Sequence, residues 1–136
     1  MADYDVIIIG GGTAGFSAGM YSSRLGMKTL LVERLIPGGQ IINVERIEDY
    51  PGLPDGISGA DFSSKVQEQA IASGTEFAMS EVTGIRKSGQ EWIVDTYEGE
   101  KASKSVIIAS GSTLNKLNVP GENEFVGAGV SYCATC

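Results

Sequence analysis

The chain has 136 residues, of which 42% are hydrophobic and 20% charged, and its formal net charge is −7. This length and composition are those of one globular domain with room for a hydrophobic core. The excess of acidic over basic residues, 17 against 10, argues against nucleic acid and anionic membranes as partners. Because no apolar stretch is long enough to span a bilayer and no signal segment precedes the first strand, we expect a cytoplasmic protein without a membrane partner.

The first third of the chain has the pattern of a β-α-β unit. Tyr4–Ile9 ends in consecutive β-branched residues, which is typical of a central parallel strand buried on both faces. The next segment predicts a helix over Thr13–Leu25, which ends at Gly26. A second strand is predicted over Lys28–Glu33.

A long segment, residues 34–57, follows the second strand and contains several proline and glycine residues. Loops of this length inside a compact domain are usually functional or disordered. The stretch from Ser58 to Asp61 resembles a capping box, with aspartate in place of glutamate. It predicts a helix from about Ala60 to Ser73.

The remaining strands change the character of the fold. Val82–Arg86, Trp92–Tyr97 and Ala102–Ala109 are rich in β-forming residues and are separated by two short polar spacers typical of hairpin turns. The end of the third segment again has the apolar composition of a buried parallel strand. The sequence therefore predicts an α/β fold, a Rossmann-like parallel sheet with an antiparallel β-meander inserted at about residues 81–104.

A glycine-rich motif, Gly10-x-Gly12-x-x-Gly15, lies between the first strand and the first helix. Gly10 permits a tight turn, Gly12 lets a pyrophosphate approach the backbone, and Gly15 permits close packing of helix on strand. Glu33 ends the second strand, where a carboxylate can accept both hydroxyl hydrogens of an adenosine ribose. The pattern favours a dinucleotide site, and the alternative is a structural turn rich in glycine.

The only two cysteines, Cys133 and Cys136, form a C-x-x-C pair. This spacing commonly lowers the pKa of one thiol and is typical of redox-active pairs. Half of a zinc site is a second interpretation, although the chain has no histidine and no other cysteine to complete it. A pair of inert buried thiols is the third.

Five segments together resemble the N-terminal part of the low-molecular-weight thioredoxin reductases. Their order and spacing match that family along the whole chain. The segments are Gly10-Gly11-Gly12-Thr13-Ala14-Gly15, Pro37-Gly38-Gly39-Gln40, Glu48-Asp49-Tyr50-Pro51-Gly52, Ile107-Ile108-Ala109-Ser110-Gly111 and Cys133-Ala134-Thr135-Cys136.

The resemblance implies an FAD-binding domain over residues 1–112 and a connector over residues 113–136 that leads into an NADPH-binding domain. It also implies that the fold is incomplete at its C-terminus, so that we expect this chain alone to be inactive as a reductase. The implied cofactor-binding residues are Gly10, Gly12, Thr13, Ala14, Gly15, Glu33, Arg34, Gly39, Gln40, Asp49, Ala109, Ser110 and Gly111.

The same resemblance implies a catalytic disulfide between Cys133 and Cys136, with Cys136 nearest the flavin ring. In such enzymes NADPH reduces FAD, FAD reduces the disulfide, and the dithiol reduces thioredoxin. The full-length protein is then expected to be a homodimer. The family usually has asparagine at the position of Asp49 and threonine at the position of Ser110, and an aspartate follows its second cysteine.

These residues are also compatible with other functions. A dithiol oxidase that passes electrons from FAD to oxygen, or a reductase that takes electrons from ferredoxin, would share this part of the sequence. A non-catalytic module that binds an adenine dinucleotide is an alternative from a different class.

Overall fold

The computed structural model describes residues 2–132. Its elements in chain order are β1 (Tyr4–Ile9), α1 (Thr13–Arg24), β2 (Thr29–Glu33), a 3-10 helix (Gly39–Asn43), α2 (Gly59–Ala72), β3 (Glu76–Met79), β4 (Val82–Ser88), β5 (Glu91–Thr96) and β6 (Gly99–Ile108). Within the described range the strands form one six-stranded sheet in the order β3-β2-β1-β6-β5-β4. No helix in this range is both long and apolar enough to cross a membrane.

The predicted return of the chain to the parallel sheet is confirmed. β1 lies between β2 and β6 and runs parallel to both, with Ile7 opposite Leu30 on one side and Val106 on the other. β4, β5 and the first half of β6 pair antiparallel, as the meander prediction requires. The meander therefore extends the parallel sheet at its edge and does not form a separate layer.

β6 belongs to both parts of the sheet. Its first half pairs with β5 and its second half with β1, and the two ladders meet at Ser103, which lies opposite Trp92 on one side and Tyr4 on the other. Ser103 is fully buried. The strand is longer than the predicted Ala102–Ala109 because the hairpin pairing begins at Gly99.

β3 was absent from the sequence-based prediction. Its four residues, Glu76–Met79, carry one large aromatic side chain and no alternating pattern, so they give little local signal. The strand exists because it pairs parallel with β2, where Phe77 lies opposite Leu31. Phe77 also packs against Phe16 of α1, with 5.9 Å between the ring centroids.

The core lies on both faces of the sheet, which agrees with the continuous apolar run predicted for β1. On the face covered by α1 and α2, Val6 and Ile8 pack with Phe16, Leu31 and Ala70. The opposite face is filled by a second buried cluster made of Ile7, Leu30, Val32 and Val94. Alternate residues of β1 thus enter different clusters, as the period of two in a strand requires.

The helix predicted from about Ala60 begins with the expected cap. The Ser58 hydroxyl accepts a hydrogen bond from the Asp61 N–H (3.0 Å) and donates one to the Asp61 carboxylate (2.7 Å). The cap anchors the N-terminus of α2 beside the 3-10 helix, where a Cβ at Gly59 would lie 1.8 Å from the carbonyl oxygen of Ile41. This close packing links α2 to the loop that borders the functional site.

Candidate functional site

The glycine loop between β1 and α1 depends on close approaches that a side chain would prevent. Gly10 has φ +108°, and a Cβ there would lie 2.3 Å from the carbonyl oxygen of Ala109. A Cβ at Gly15 would lie 1.8 Å from the carbonyl oxygen of Gly10. Both distances are far below van der Waals contact, so these glycines let α1 start directly against the ends of β1 and β6.

Gly12 differs from its two neighbours in the motif, because the space beside it is open. Its φ is −81°, which any residue adopts. The nearest heavy atom to a Cβ at this position would be the Cα of Gly39, at 3.9 Å. The lack of a side chain at Gly12 therefore keeps an open cradle at the start of α1, where a phosphate can approach the backbone.

The N-terminus of α1 faces the same cradle. The helix begins at Thr13, and neither a capping side chain nor an acidic residue in the first turn occupies its N-terminal end. The N–H groups of a first helical turn have no intrahelical acceptor and carry the positive end of the helix dipole. The geometry at Thr13 and Ala14 therefore suits an anionic group such as a diphosphate.

Glu33 closes the adjacent end of the cleft. Its Oε2 accepts a hydrogen bond from the N–H of Gly11 (2.6 Å), and its Oε1 accepts one from the N–H of Leu35 (2.8 Å). A carboxylate has about four acceptor positions, so two remain for the hydroxyl groups of a ribose. The two backbone bonds orient the carboxylate before any ligand is bound.

The loop after β2 forms the facing wall. The N–H of Gly38 donates to the carbonyl of Gly11 (2.7 Å), which docks this loop on the glycine motif. A Cβ at Gly38 would lie 2.3 Å from the side chain of Ile42, so the docking requires glycine there. From the 3-10 helix, the Gln40 side chain donates to the carbonyl of Ser112 (3.3 Å) and so links this wall to the segment after β6.

The glycine loop, Glu33 and the loop after β2 border an open cleft with a volume of about 720 Å³. That volume lies within the range of pockets that hold small ligands and cofactors. The structure brings into its lining eleven of the predicted cofactor-binding residues, namely Gly10, Gly12, Thr13, Ala14, Glu33, Arg34, Gly39, Gln40, Ala109, Ser110 and Gly111.

Two predicted site residues lie outside this lining. Gly15 is buried in α1 beneath the loop that follows β1, where the absence of a side chain lets α1 pack closely against Gly10. Asp49 is exposed in the loop before Tyr50 and does not line the cleft. Arg34 does line it, and its guanidinium lies 3.8 Å from the carboxylate of Glu81.

The groups that line the cleft are of the kind that an adenosine diphosphate requires. An open cradle at Gly12, an uncapped helix N-terminus and an oriented carboxylate at Glu33 lie within one cavity, and such groups suit a diphosphate and a ribose. A carboxylate at this position would also repel a 2′-phosphate.

A feature that the sequence analysis missed lies in the predicted connector. Glu122 is buried, with 4% of its surface exposed. Its carboxylate accepts hydrogen bonds from the N–H of Leu117 (2.9 Å), the N–H of Asn118 (2.6 Å) and the hydroxyl of Tyr132 (2.8 Å). A lone glutamate in a polar stretch carries no sequence signal for burial. Cys133 and Cys136, the predicted redox pair, lie outside the described residues.

The family assignment follows from comparison with known proteins. The model of the pyridine nucleotide-disulphide oxidoreductase family matches residues 4–136. The chain belongs to this family.

The similarity extends to individual members of the pyridine nucleotide-disulphide oxidoreductases. The chain is 44% identical to thioredoxin reductase of Treponema pallidum over 134 residues, covering 98% of the chain and 44% of that protein. It is 44% identical to the Bacillus subtilis thioredoxin reductase over 133 residues, covering 98% and 42% respectively. The crystal structure of Lactococcus lactis thioredoxin reductase superposes with a TM-score of 0.85 at 48% identity, covering 98% of the chain and 44% of that structure. The chain thus spans less than half the length of these relatives, and its α/β fold is that of their FAD-binding part.

The buried carboxylate gives this family member a testable response to pH. The hydrogen bond from Tyr132, followed by the bonds from backbone N–H groups, holds the pKa of Glu122 below the ordinary glutamate value of 4.5. A group whose pKa is lowered on folding contributes stability above its unfolded pKa, and that stability is lost as the pH falls through the folded pKa. We therefore expect the amide resonances of Leu117 and Asn118 to shift together as the pH is lowered, in one transition whose midpoint lies below 4.5.

The measurement is an NMR titration of these amide groups. Glu122→Gln should abolish the shared transition, because no carboxyl group is left to titrate. Glu124→Gln is the matched control, since Glu124 is an exposed glutamate two residues away. A transition that survives in Glu122→Gln would contradict the assignment to Glu122.

Proposed function

We propose that this chain is the FAD-binding and dithiol-bearing part of a thioredoxin reductase that uses NADPH. The observation that carries the proposal is the cleft in which the N-terminus of α1, the cradle at Gly12 and the oriented carboxylate of Glu33 converge. FAD bound there supplies two-electron redox chemistry. This proposal goes beyond the family assignment, which leaves the substrate and the electron donor open.

In this proposal each wall of the cleft holds a different part of the cofactor. The N–H groups of Thr13 and Ala14 bind the diphosphate, and Glu33 accepts hydrogen bonds from the adenosine ribose. The Gly39–Gln40 loop and the Ala109–Gly111 segment border the flavin side, with Ser110 supplying a hydroxyl group. Asp49 remains a proposed contact, although it does not line the cleft as described.

The proposed redox pair is Cys133 and Cys136. The dithiol gives two electrons and two protons to the disulfide of thioredoxin, so that its own disulfide forms while that of thioredoxin opens by thiol–disulfide exchange. NADPH is the proposed source of electrons. The full-length protein is proposed to be a cytoplasmic homodimer with no membrane partner. In this proposal residues 1–112 form the FAD-binding domain, and residues 113–136 connect it to an NADPH-binding domain.

The cofactor assignment predicts a specific pattern of competition. FAD added to the chain should bind, and ADP should displace it, because the described site recognises the adenosine diphosphate part. FMN, which lacks that part, should not displace FAD. Fluorescence titration of FAD with each competitor measures this, and equal displacement by FMN and ADP would contradict the assignment of the cleft.

The dithiol assignment is tested separately. After air oxidation, intact mass and thiol counting should show one internal disulfide, and dithiothreitol should convert it to two reactive thiols. Cys133→Ser and Cys136→Ser should each leave one reactive thiol under both conditions. Two reactive thiols that persist after oxidation of the unmodified chain would contradict a redox pair.

A further inference from the structure

A cavity of about 250 Å³ adjoins the cleft at the end of β2. Four residues line both the cavity and the cleft, namely Gly10, Glu33, Arg34 and Ser110. The cavity is also lined by Ser80 and Glu81, which follow β3 in the chain. It therefore lies beside Glu33, between the ends of β2 and β3.

The pairing of β2 with β3 brings an acidic and a basic side chain together at this place. Met79, the last residue of β3, lies opposite Glu33, and the N–H of Ser80 donates to the carbonyl of Glu33 (2.9 Å). The pairing thus continues one residue beyond β3 and places Glu81 alongside Arg34. The guanidinium of Arg34 lies 3.8 Å from the carboxylate of Glu81.

Arg34 is an unexpected residue beside a ribose site of this type. In dinucleotide sites an acidic residue after the second strand binds the 2′-hydroxyl of the ribose, whereas a nearby arginine accommodates a 2′-phosphate. This chain has both residue types in adjacent positions, Glu33 and Arg34. Among the described residues that line the cleft and the cavity, Arg34 is the only one with a positive charge. A free guanidinium here would attract the same phosphate group that Glu33 repels.

We propose that Glu81 is a positioning residue that engages the guanidinium of Arg34 and thereby helps the cleft to reject adenine nucleotides with a 2′-phosphate. The inference rests on the proposed function, because it requires that an adenosine ribose binds at Glu33. Two carboxylates and one guanidinium leave this end of the site with an excess of negative charge, which disfavours a phosphate group.

This selectivity matters for a protein that uses both FAD and NADPH. The two cofactors share the adenosine diphosphate part, and NADPH differs there by the phosphate on its 2′-oxygen. Recognition of the diphosphate at the N-terminus of α1 does not distinguish them. Discrimination therefore depends on the charges around the ribose, and these are the charges of Glu33, Arg34 and Glu81.

The test compares two probes that differ only in the 2′-phosphate, ADP-ribose and 2′-phospho-ADP-ribose, as competitors of FAD in a fluorescence titration. The unmodified chain should bind ADP-ribose more tightly. Glu81→Gln should narrow the ratio of the two dissociation constants by roughly twofold to fivefold, which is the range for exposed ion pairs. The affinity for ADP-ribose itself should stay nearly constant.

A second variant shows whether Glu81 acts through Arg34 or by its own charge. In an Arg34→Gln background no guanidinium is left to release, so the further change Glu81→Gln should not narrow the ratio again. If it narrows the ratio as much as in the unmodified background, Glu81 repels the phosphate directly and the positioning role is overturned. Such a double-variant comparison isolates the coupling between the two side chains.

Salt dependence and a charge control complete the experiment. The Arg34 and Glu81 side chains are 62% and 38% exposed, so dissolved ions screen their charges. The difference between Glu81→Gln and the unmodified chain should therefore shrink at high salt. Glu68→Gln, on the exposed face of α2, loses the same charge and should leave the ratio unchanged. Circular dichroism of each variant checks that the sheet remains folded.

The outcomes separate this inference from the proposed function. If neither ADP-ribose nor FAD binds to the unmodified chain, the proposed function fails and the inference fails with it. If ADP-ribose binds and Glu81→Gln leaves the ratio unchanged, only the role of Glu81 is overturned. An equal change of the ratio in Glu68→Gln would overturn it as well, because the effect would then follow from net charge alone.

Discussion

Gly15→Ala is expected to lower the free energy of unfolding by about 3 kcal/mol, the upper part of the range for overpacked sites. The added Cβ would lie 1.8 Å from the carbonyl oxygen of Gly10, and this contact is with backbone that cannot rotate away. Relief requires α1 to move away from the end of β1. The better helix propensity of alanine, worth about 1 kcal/mol, does not offset this displacement.

Gly12→Ala provides the sharpest comparison, because it makes the same chemical change three residues earlier. The added Cβ would have 3.9 Å to its nearest neighbour, so the stability should change little. It would enter the cradle at the start of α1, so FAD affinity should fall. Urea denaturation measures the packing role of Gly15, and FAD titration measures the binding role of Gly12; both variants are tested in both assays. Ser17→Ala is the control, because Ser17 is an exposed residue of α1. A Gly15→Ala variant as stable as this control would contradict the packing role of Gly15.

Glu33→Ala is expected to weaken FAD binding by roughly 1–3 kcal/mol, the loss expected when charge-assisted hydrogen bonds disappear. The carboxylate has acceptor positions left for the ribose after its bonds to Gly11 and Leu35. The variant should also be less stable without ligand, because those two N–H groups lose their partner. Glu33→Gln keeps one oxygen acceptor but no charge. Its affinity for FAD should therefore lie between that of Glu33→Ala and that of the unmodified chain.

Titration of Glu33→Ala with FAD and with ADP measures the two affinities. Both should fall together, because Glu33 is assigned to the adenosine half of FAD, which ADP shares. Glu68→Ala on the exposed face of α2 is the matched control for loss of one negative charge. An unchanged ADP affinity in a folded Glu33→Ala variant would remove Glu33 from the ribose site.

The elements that could be predicted from sequence are those with strong local signals. β1 carries a continuous β-branched run, Gly26 with its positive φ follows the end of α1, and Ser58 with Asp61 marks the start of α2. The glycine motif also predicted the turn at Gly10 and the close packing at Gly15, since no other residue fits those positions. Boundaries shifted by one to three residues where pairing with a neighbour extended a strand, as at Gly99.

Other features lacked a local signal and depended on distant partners. β3 forms because β2 offers an open edge and α1 presents Phe16 to Phe77. Glu122 is buried because Tyr132 and two N–H groups surround its carboxylate. Neither a four-residue strand nor a buried glutamate has a periodicity that could identify it.

The sequence by itself determined the family, the glycine loop and the acidic residue at the end of β2, because these follow from residue types at short spacings. Only the tertiary structure decided that the loop after β2 docks on Gly11 and that the segment after β6 completes the cleft. It also placed Asp49 outside that lining and made Glu122 an internal anchor. The physical reason is that local motifs specify backbone conformation over a few residues, whereas a cavity and a buried charge arise from contacts between segments far apart in the chain.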